Sequence, residues 1–481
     1  MRRVLALFIV VSVFIVFPAG AALAAGLIQI SSDPFTNPDS QHATQVEPDT
    51  YAFGSTIVSA FQSGRYFDGG CSDIGFATSQ NGGVSWTPGF LPSITVNSTP
   101  PGPYARVSDP SVSYDAKHDA WLIASLGIDA SASGVAVLVS RSTNGGLAWS
   151  APVLVSSTTG FYDKTWIVCD NTPTSSHYGN CYATWDDANA GDLLLTSTSS
   201  DGGLTWGPKK TTKGNAAGLG GQPLVQPGGR VIVPALSAFA NQVIAYRSRN
   251  GGTTWRNAKV VSNIIDHNPA GNLRALPLPS AEVDASGKVY VVWQDCRFRA
   301  GCPSNDIVMS TSTNGRTWTP PVRIPIDPTN STVDHFIPGL AVDRTSSGNT
   351  ARLALTYYFY PTANCTQATC QLSVGFVSSI DGGATWSVPQ TLAGPMTLTN
   401  LANTNQGFMV GDYISTSFSG ANAIPVFAVA GPKVGNVFNE AMFSTMLPVT
   451  AAQRYPLQVT ADPVLSVEGD TPQRLQPLVI P

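Results

Sequence analysis

The sequence has few charges, no extended helical pattern and no long apolar run beyond its first residues. Charged residues make up 12% of the 481 residues, and the formal net charge is −4. This balance provides neither a basic stripe for nucleic acid nor an acidic tail. Apolar residues do not recur at helical spacing over any long stretch, whereas glycine (45) and proline (36) are frequent. The composition therefore predicts many short strands joined by tight turns.

The longest apolar run lies at the start of the chain. Two arginines precede the apolar residues 4–17, a Pro-Ala-Gly break follows, and residues 22–24 read Ala-Leu-Ala, a small-residue cleavage site. These are the parts of a secretory signal peptide, so we predict that residues 1–24 are removed and that the protein is secreted or extracytoplasmic. An uncleaved membrane anchor is the alternative, but the run is short for one. We expect no membrane span after removal of the signal.

Seven cysteines suit an exported protein. Six of them form three pairs that are close in sequence, and we predict that each pair is a loop-stapling disulfide: Cys169 with Cys181, Cys296 with Cys302, and Cys365 with Cys370. Cys71 is left over. Metal ligation is the alternative, but the sequence has neither a CxxC pair nor clustered histidines to support it.

One short motif recurs along the chain. Five copies read Ser-x-(Asp/Asn)-Gly-Gly-x-x-Trp, at residues 79–86, 142–149, 199–206, 248–255 and 379–386, and a copy at 312–318 is one residue shorter. Trp86 and Trp386 are 300 residues apart over five intervals, which gives a mean period of 60 residues. A period of this size is typical of propellers and solenoids.

The residue types of the motif explain its form. The Asp or Asn side chain can accept from backbone amides just downstream, the glycines permit positive φ, and the tryptophan can anchor the turn between adjacent sheets. We therefore interpret the motif as a hairpin clamp between the third and fourth strands of a unit, and we assign it no catalysis.

These copies resemble the Asp-box (BNR) repeat of the sialidase (neuraminidase) superfamily. Taken with its flanking units, the resemblance covers roughly residues 26–450. It implies an all-β fold, a β-propeller of four-stranded blades. It does not specify an activity, because binding proteins and assembly factors carry the same repeat.

The number of predicted inner strands favours seven blades, with six, as in catalytic sialidases, as the alternative. Such strands begin within 45–61, 105–115, 162–170, 220–227, 278–293, 334–343 and 410–418. The last unit has no clamp; its strands would be 413–418, 424–430 and 440–446. We predict that residues 26–32 supply its fourth strand and close the ring, which removes free sheet edges. The propeller would span residues 25–447, followed by a proline-rich tail at 448–481.

Charged and polar residues gather where the predicted inner strands begin. Blade topology puts these entrances on the face opposite the clamps, where propellers usually bind ligands in an axial funnel. The residues are Glu47, Arg106, Asp109, Asp163, Lys164, Gln222, Arg274, Asp334, His335, Asp412 and Tyr413.

The resemblance implies roles for some of them. Active sialidases use a tyrosine nucleophile activated by a glutamate, and an aspartate as acid/base, so Tyr413 would be the nucleophile, Glu47 its partner, and Asp109 or Asp163 the acid. They grip the substrate carboxylate with three arginines. Here the grip would consist of Arg106, Arg274 and either Arg297 or Arg299, and the remaining substrate-binding residues would be Asp334, His335 and Asp412.

The sequence also departs from the family pattern. The Arg-Ile-Pro expected before the first clamp is missing, and residues 323–325 carry those letters only after the fifth clamp, on an outer strand. As alternatives, the aspartates at the strand entrances cap turns, and His335 has a structural hydrogen bond. We interpret the acidic segment 186–192 as a repeated turn rather than as a calcium site.

We therefore predict a sialidase-like glycoside hydrolase that acts as a monomer on an extracellular glycan or glycoprotein, without a cofactor. The alternative is a non-catalytic propeller that binds carbohydrate or protein, which the incomplete arginine set favours. A third possible function is that of an assembly factor. Such a protein would bind a protein partner and would not bind a glycan.

Overall fold

The computed structural model describes residues 26–450 and the backbone of Ala22 and Leu23. The rest of the predicted signal peptide and the tail beyond Thr450 lie outside the described residues. Within them strands are the predominant regular structure, which confirms the all-β class, and three single-turn 3-10 helices occur at Ala188–Ala190, Gly348–Thr350 and Leu398–Asn400. The first two strands are β1 (Ala22–Leu23) and β2 (Ile28–Gln29).

The following strands form antiparallel units of four, each an up-and-down meander. Unit 1 consists of β3 (Ser40–Phe53), β4 (Thr56–Tyr66), β5 (Cys71–Ser79) and β6 (Thr87–Phe90). Unit 2 consists of β7 (Arg106–Asp115), β8 (Ala120–Ile128), β9 (Gly134–Ser142) and β10 (Val153–Ser157). Unit 3 consists of β11 (Tyr162–Cys169), β12 (Cys181–Asp187), β13 (Leu193–Ser199) and β14 (Lys210–Thr211).

The next three units repeat this order with one variation. In unit 4 two short segments, β15 (Gly218–Leu219) and β16 (Leu224–Val225), share the inner position beside β17 (Val231–Ser237), followed by β18 (Gln242–Ser248) and β19 (Lys259–Asn263). Unit 5 consists of β20 (Ser280–Val283), β21 (Val289–Asp295), β22 (Asp306–Ser312) and β23 (Val322–Arg323). Unit 6 consists of β24 (Asp334–Val342), β25 (Leu353–Tyr360), β26 (Gln371–Ser379) and β27 (Gln390–Thr397), with β1 paired outside β27.

The last unit combines the two ends of the described chain. A hairpin of β28 (Ala402–Thr404) and β29 (Gly407–Met409) precedes it. Unit 7 then consists of β30 (Ser415–Ser419), β31 (Asn422–Ala430) and β32 (Glu440–Ser444), with β2 antiparallel to β32 and β33 (Leu447–Pro448) paired with the start of β31. The N-terminal strand thus takes the fourth position in this unit, with Ile28 opposite Ser444.

Hydrogen bonds join each unit to the next near the inner strands. In order along the chain they link Asp49 with Val112, Ser113 with Cys169, Thr184 with Gly221, Gln222 with Ala281, Ser280 with Leu340, Gly339 with Thr416, and Ser415 with Thr50. The last bond connects unit 7 to unit 1. Apolar side chains fill the spaces between units, for example Trp121 beside Ile74 and Phe76, so the core is divided into layers between sheets.

The motif copies form the predicted clamps. Ser199 Oγ donates to Asp201 Oδ1 (2.8 Å) and accepts from the Gly203 amide (3.0 Å), and Asp201 Oδ1 accepts from the Thr205 amide (3.0 Å). In three copies the tryptophan indole donates to the carbonyl of the second glycine at 3.2 Å: Trp86, Trp149 and Trp386. The three predicted disulfides are formed, and Cys71 is free and buried.

We predict that Ser199→Ala destabilises the protein by about 1–3 kcal/mol, because the buried Gly203 amide then loses its acceptor. The matched control is Ser200→Ala, since Ser200 is the exposed neighbour in the same turn. Thermal unfolding of the two variants should differ, and equal unfolding temperatures would contradict the clamp role.

Candidate functional site

A cluster of charged side chains lies where the inner strands begin. We call Glu47, Asp109, Asp163, Lys164, Arg274 and Asp412 the entrance cluster; none is more than 6% exposed. They come from units 1, 2 and 3 and from the segments that precede units 5 and 7. The structure therefore brings together six of the residues that the sequence analysis placed at the strand entrances.

Irregularities in the inner strands put these side chains there. Glu47, Asp109 and Lys164 have φ of 56°, 48° and 51°. Each of them lies where the register of its inner strand shifts against the second strand. A bulge of this kind redirects a side chain, and positive φ is uncommon for residues other than glycine. The repeated bulge thus turns a charged side chain of three successive units to the same place.

Asp412 is the centre of the entrance cluster. Arg274 binds it through two nitrogens, with Nε 2.6 Å from Oδ1, and the Lys164 ammonium binds Oδ2. Lys164 Nζ also lies 3.6 Å from Glu47 Oε1. Burial alone would raise the pKa of Asp412, but Arg274 and Lys164 hold it well below its usual range. One ionised carboxylate thus bridges two buried cations.

Other carboxyls of the entrance cluster behave in the opposite way. Burial raises the pKa of Glu47 to about 8 and that of Asp163 to about 7, against the opposing effect of Lys164. Asp186 is paired with Asp163 across β11 and β12, and burial raises its pKa well above its ordinary value. Near neutral pH the cluster therefore holds a fixed ion triad beside carboxyls that carry or exchange protons.

Tyr413, the predicted nucleophile, lies beside the cluster. Its hydroxyl donates to the Pro110 carbonyl (3.0 Å), and its ring packs on Trp166 at 4.8 Å. Burial, with Glu47 and Asp109 nearby, raises its pKa well above the ordinary value. These surroundings favour the neutral phenol, and the nucleophilic role stays a prediction.

The residues of the entrance cluster are buried. The β28–β29 hairpin lies against the cluster: the Arg274 amide donates to the Phe408 carbonyl (2.8 Å), and Arg65 Nε contacts Met409 Sδ (3.3 Å). A cavity of about 10 Å³ lies beside Lys164 and Tyr413, and a second of about 40 Å³, lined by Asp412 and Tyr413, extends to Tyr51 and Arg344. We expected a funnel lined by these charges, whereas the opposite charges of the cluster neutralise each other and pack together.

The other predicted arginines have their own carboxylate partners. Arg106 pairs with Asp68 (2.5 Å) and Arg297 with Asp295 (2.7 Å). Arg299 pairs with Asp306 (2.7 Å) and Asp327 (2.9 Å), both of which also bind Arg323. Arg274 is the only member of the predicted three-arginine grip that the described contacts place in the entrance cluster.

Asp334 and His335 also lie in separate surroundings. Asp334 Oδ1 accepts from the Asn305 amide of the preceding unit (2.7 Å), and Asp334 Oδ2 lies 3.7 Å from His267 Nε2. His335 is buried, with Nδ1 3.2 Å from the Asn305 carbonyl and its ring against Tyr357. Their described contacts are structural.

A larger cavity opens at the opposite ends of the inner strands. This exit cavity measures about 530 Å³ and is lined by strand-end residues that include Tyr51, Phe53, Asn171, Glu282, Arg344 and Phe418. The clamps lie at this end too, since the Gly82 amide donates to the Ser55 carbonyl in the β3–β4 turn (2.8 Å). The sequence analysis missed most of this lining, whose only sequence signal is an aromatic residue near the end of an inner strand.

Tyr51 and Arg344 organise the exit cavity. The Arg344 guanidinium lies 4.6 Å from the Tyr51 ring centroid, donates to the Tyr51 hydroxyl and pairs with Glu282 Oε2 at 3.1 Å. Asn171 Nδ2 donates to the same hydroxyl (3.1 Å). Aromatic faces combined with a few fixed polar groups, in a space of this size, are typical of small-ligand sites.

Metal ligands are poorly placed in the described part of the chain. Two groups bring three ligand atoms together there: Asp115 with Cys169 and Cys181, and Asp306 with Asp327 and His335. In the first the cysteines form a disulfide, and in the second the carboxylates already bind arginines. In the segment 186–192, Asp187 caps a 3-10 helix through the Ala190 amide (3.2 Å). These residues do not fit a metal ion.

No helix among the described residues is long and apolar enough to cross a bilayer.

Comparison with known families and structures supports the motif reading. The family model described as "BNR repeat-like domain" matches residues 120–356, which confirms the resemblance drawn from the motif copies. A search of curated proteins finds no significant match.

Solved structures that align with this chain have different names and low similarity to it. A protein of unknown function from Dyadobacter fermentans aligns over 75% of this chain and 99% of its own, with 17% identity and a TM-score of 0.45. The NanB sialidase from Streptococcus pneumoniae aligns over 86% and 70%, with 14% identity and a TM-score of 0.43. The α-L-arabinofuranosidase Arb93A from Fusarium graminearum aligns over 74% and 98%, with 14% identity and a TM-score of 0.43. Such values assign no activity or residue role to this chain.

We predict that Asp412→Asn destabilises the protein by about 3–5 kcal/mol, because Lys164 and Arg274 then stay buried without a carboxylate. The matched control is Glu47→Gln, in the same cluster, which removes a carboxyl that is largely protonated at pH 7. Chemical denaturation at pH 7 should separate the two variants clearly. Equal losses would contradict the triad at Asp412.

We also predict that the protein is more stable at pH 5.5 than at pH 8.5. Burial raises the pKa values of six carboxyls to about 7 or 8: Glu47, Asp49, Asp73, Asp163, Asp266 and Asp334. A raised folded-state pKa gives stability that is present in acid and lost as pH rises through that pKa. Unfolding temperatures should therefore fall clearly, by several degrees or more, over this range. Glu47→Gln should flatten the fall, and a rise instead would refute the protonation pattern.

Proposed function

Since this chain carries the Asp-box (BNR) repeat of the sialidase superfamily, we propose that it is an exported propeller that binds carbohydrate. The ligand enters the exit cavity, on the face of the clamps. The observation that carries this proposal is the contrast between the two ends of the inner strands. The entrance cluster is buried and paired, whereas the exit cavity of about 530 Å³ presents Tyr51, Phe53 and Phe418 together with polar groups.

The architecture that we propose is a seven-bladed ring closed by β2. Its support is the series of hydrogen bonds between successive units, which returns from Ser415 of unit 7 to Thr50 of unit 1. Contacts between units far apart in sequence agree with this arrangement, since Lys164 of unit 3 binds Asp412 before β30 and Asn171 binds Tyr51.

Export is supported by the three disulfides, which persist in oxidising compartments. A carbohydrate ligand outside the cytoplasm follows from export together with the aromatic and polar lining of the exit cavity. The volume of that cavity falls in the range of small-molecule sites, so one or two sugar units fit.

A second candidate function is glycoside hydrolysis at the entrance cluster. One observation favours it: the pKa values of Glu47 and Asp163 are raised to about 8 and 7, whereas that of Asp412 is held well below its ordinary value. Proton-bearing and ionised carboxyls side by side are the arrangement that acid/base catalysis uses. The burial of the entrance cluster makes this the weaker candidate.

We predict that Tyr51→Ala weakens oligosaccharide binding at least tenfold, about 1.4 kcal/mol, since it removes a ring face and the hydroxyl between Arg344 and Asn171. Isothermal titration calorimetry with neutral and acidic oligosaccharides measures the affinity of each variant. Tyr51→Phe, which keeps the ring, should lie between wild type and Tyr51→Ala. Tyr413→Phe is the control at the other end and should leave the affinity unchanged; the reverse pattern would place the ligand at the entrance cluster.

A panel of fluorogenic 4-methylumbelliferyl glycosides, sialosides included, decides between binding and hydrolysis. The binding proposal expects no release of the fluorophore. Release that disappears in both Asp163→Asn and Glu47→Gln, with folding intact, would instead establish a hydrolase at the entrance cluster.

A further inference from the structure

Five arginines stand together without carboxylates. We call Arg230, Arg247, Arg249, Arg256 and Arg316 the arginine patch. No described ion pair involves any of them, whereas most other described arginines pair with a carboxylate. The net charge of the chain is −4, so this positive charge is a local feature of the patch and not a property of the whole protein.

The patch lies where units 4 and 5 meet, on the face of the clamps. Arg249 and Arg316 are part of the motif copies 248–255 and 312–318, and Arg256 directly follows the first of these. Arg247, in β18, reaches across to the Gly315 carbonyl of the next copy (3.5 Å).

Arg230 is held at the same place. It donates to Gln226 Oε1 (2.9 Å), and Gln226 Nε2 donates to the Thr313 carbonyl (3.0 Å). Side chains of unit 4 are thus fixed against the motif turn of unit 5.

One member of the patch, Arg247, is buried beside the other four arginines. Arg249, Arg256 and Arg316 are exposed, but Arg247 is only 8% exposed, and the Nε atoms of Arg230 and Arg247 are buried without a hydrogen-bond partner. Burial lowers the pKa of Arg247, and Arg249, Arg316, Arg230 and Arg256 lower it further. A desolvated cation among like charges is unfavourable unless an anion compensates it.

We propose that the arginine patch is a binding site for an acidic polysaccharide, with carboxylate or sulfate groups held by the arginine forks. Guanidinium groups bind such planar or tetrahedral oxyanions through two parallel hydrogen bonds. A linear polymer can follow the three exposed arginines and still present a group to the buried Arg247, whereas a flat bilayer meets only the three exposed arginines.

None of the patch arginines lines the exit cavity, although Val225, which does, directly precedes Gln226, the partner of Arg230. Binding of polyanions by the patch therefore does not rest on the proposed function.

The test compares Arg249→Ala/Arg316→Ala with Lys117→Ala/Lys210→Ala, which removes the same charge from exposed lysines elsewhere. The probes are polygalacturonate, dextran sulfate and uncharged dextran, titrated at 50 and 200 mM salt. We expect the arginine double variant to bind both acidic polymers at least tenfold more weakly and the lysine control to bind as wild type. Binding by wild type should weaken with salt, and dextran should show no difference between variants.

Two further measurements make the result specific. Arg249→Lys/Arg316→Lys keeps the charge, and its affinity should fall because the bidentate geometry is lost. Tyr51→Ala should leave dextran sulfate binding intact, so that failure of the cavity proposal and failure of the patch proposal are distinguishable.

Several outcomes would overturn the proposal. They are equal losses in the arginine and lysine variants, no binding of either acidic polymer by wild type, or stronger binding to phosphatidylglycerol vesicles or duplex DNA than to both polymers. Circular dichroism of each variant confirms that folding is retained.

Discussion

The ion triad of Asp412 with Lys164 and Arg274 holds together parts of the chain that are far apart in sequence. Lys164 belongs to unit 3, Arg274 precedes unit 5, and Asp412 precedes unit 7. Each side chain is buried, so each charge depends on the others for compensation. The arrangement of the inner strands around these groups is therefore coupled to their ionisation, and the neighbouring Glu47 and Asp163 accommodate the remaining negative charge by keeping protons.

Much of the fold was predictable because its signals are local. The residue types of the clamp at 199–206 predict its hydrogen bonds. The positions of the copies predict where the turn between the third and fourth strands of each unit lies. The strand of unit 7 that comes from the N-terminus was predictable for a different reason: residues 26–32 had no other partner. The split inner strand of unit 4 and the β28–β29 hairpin were not anticipated, because neither carries a periodic pattern and both are set by tertiary contacts.

The site was predictable only in part. Glu47, Asp109 and Asp412 were placed at the strand entrances by counting strands, and they do meet. Their burial was not foreseeable, because a one-dimensional pattern shows which charges face an axis but not whether they neutralise each other there. A second repeat signal was present: Glu47 and Asp109 each precede a proline within an inner strand, and both adopt positive φ. Tyr51 and Arg344 could not be paired from sequence, since they are 293 residues apart.

The two ends of the inner strands differ in how their charges are compensated, and this difference separates structural from binding chemistry. At the entrances every cation of the cluster has a carboxylate within the protein, so little attraction is left for a ligand. On the clamp face Arg344 pairs with Glu282 through one nitrogen. The arginines of the patch have no described carboxylate partner. A buried guanidinium without a counter-charge is unfavourable, and hydrogen bonds to carbonyls offset part of that cost, as they do for the buried Arg65 beside the entrance cluster. In the arginine patch the like charges add to one another, and an anion bound there offsets them, so the unpaired charge of the patch is better evidence of a ligand than the paired charge of the entrance cluster.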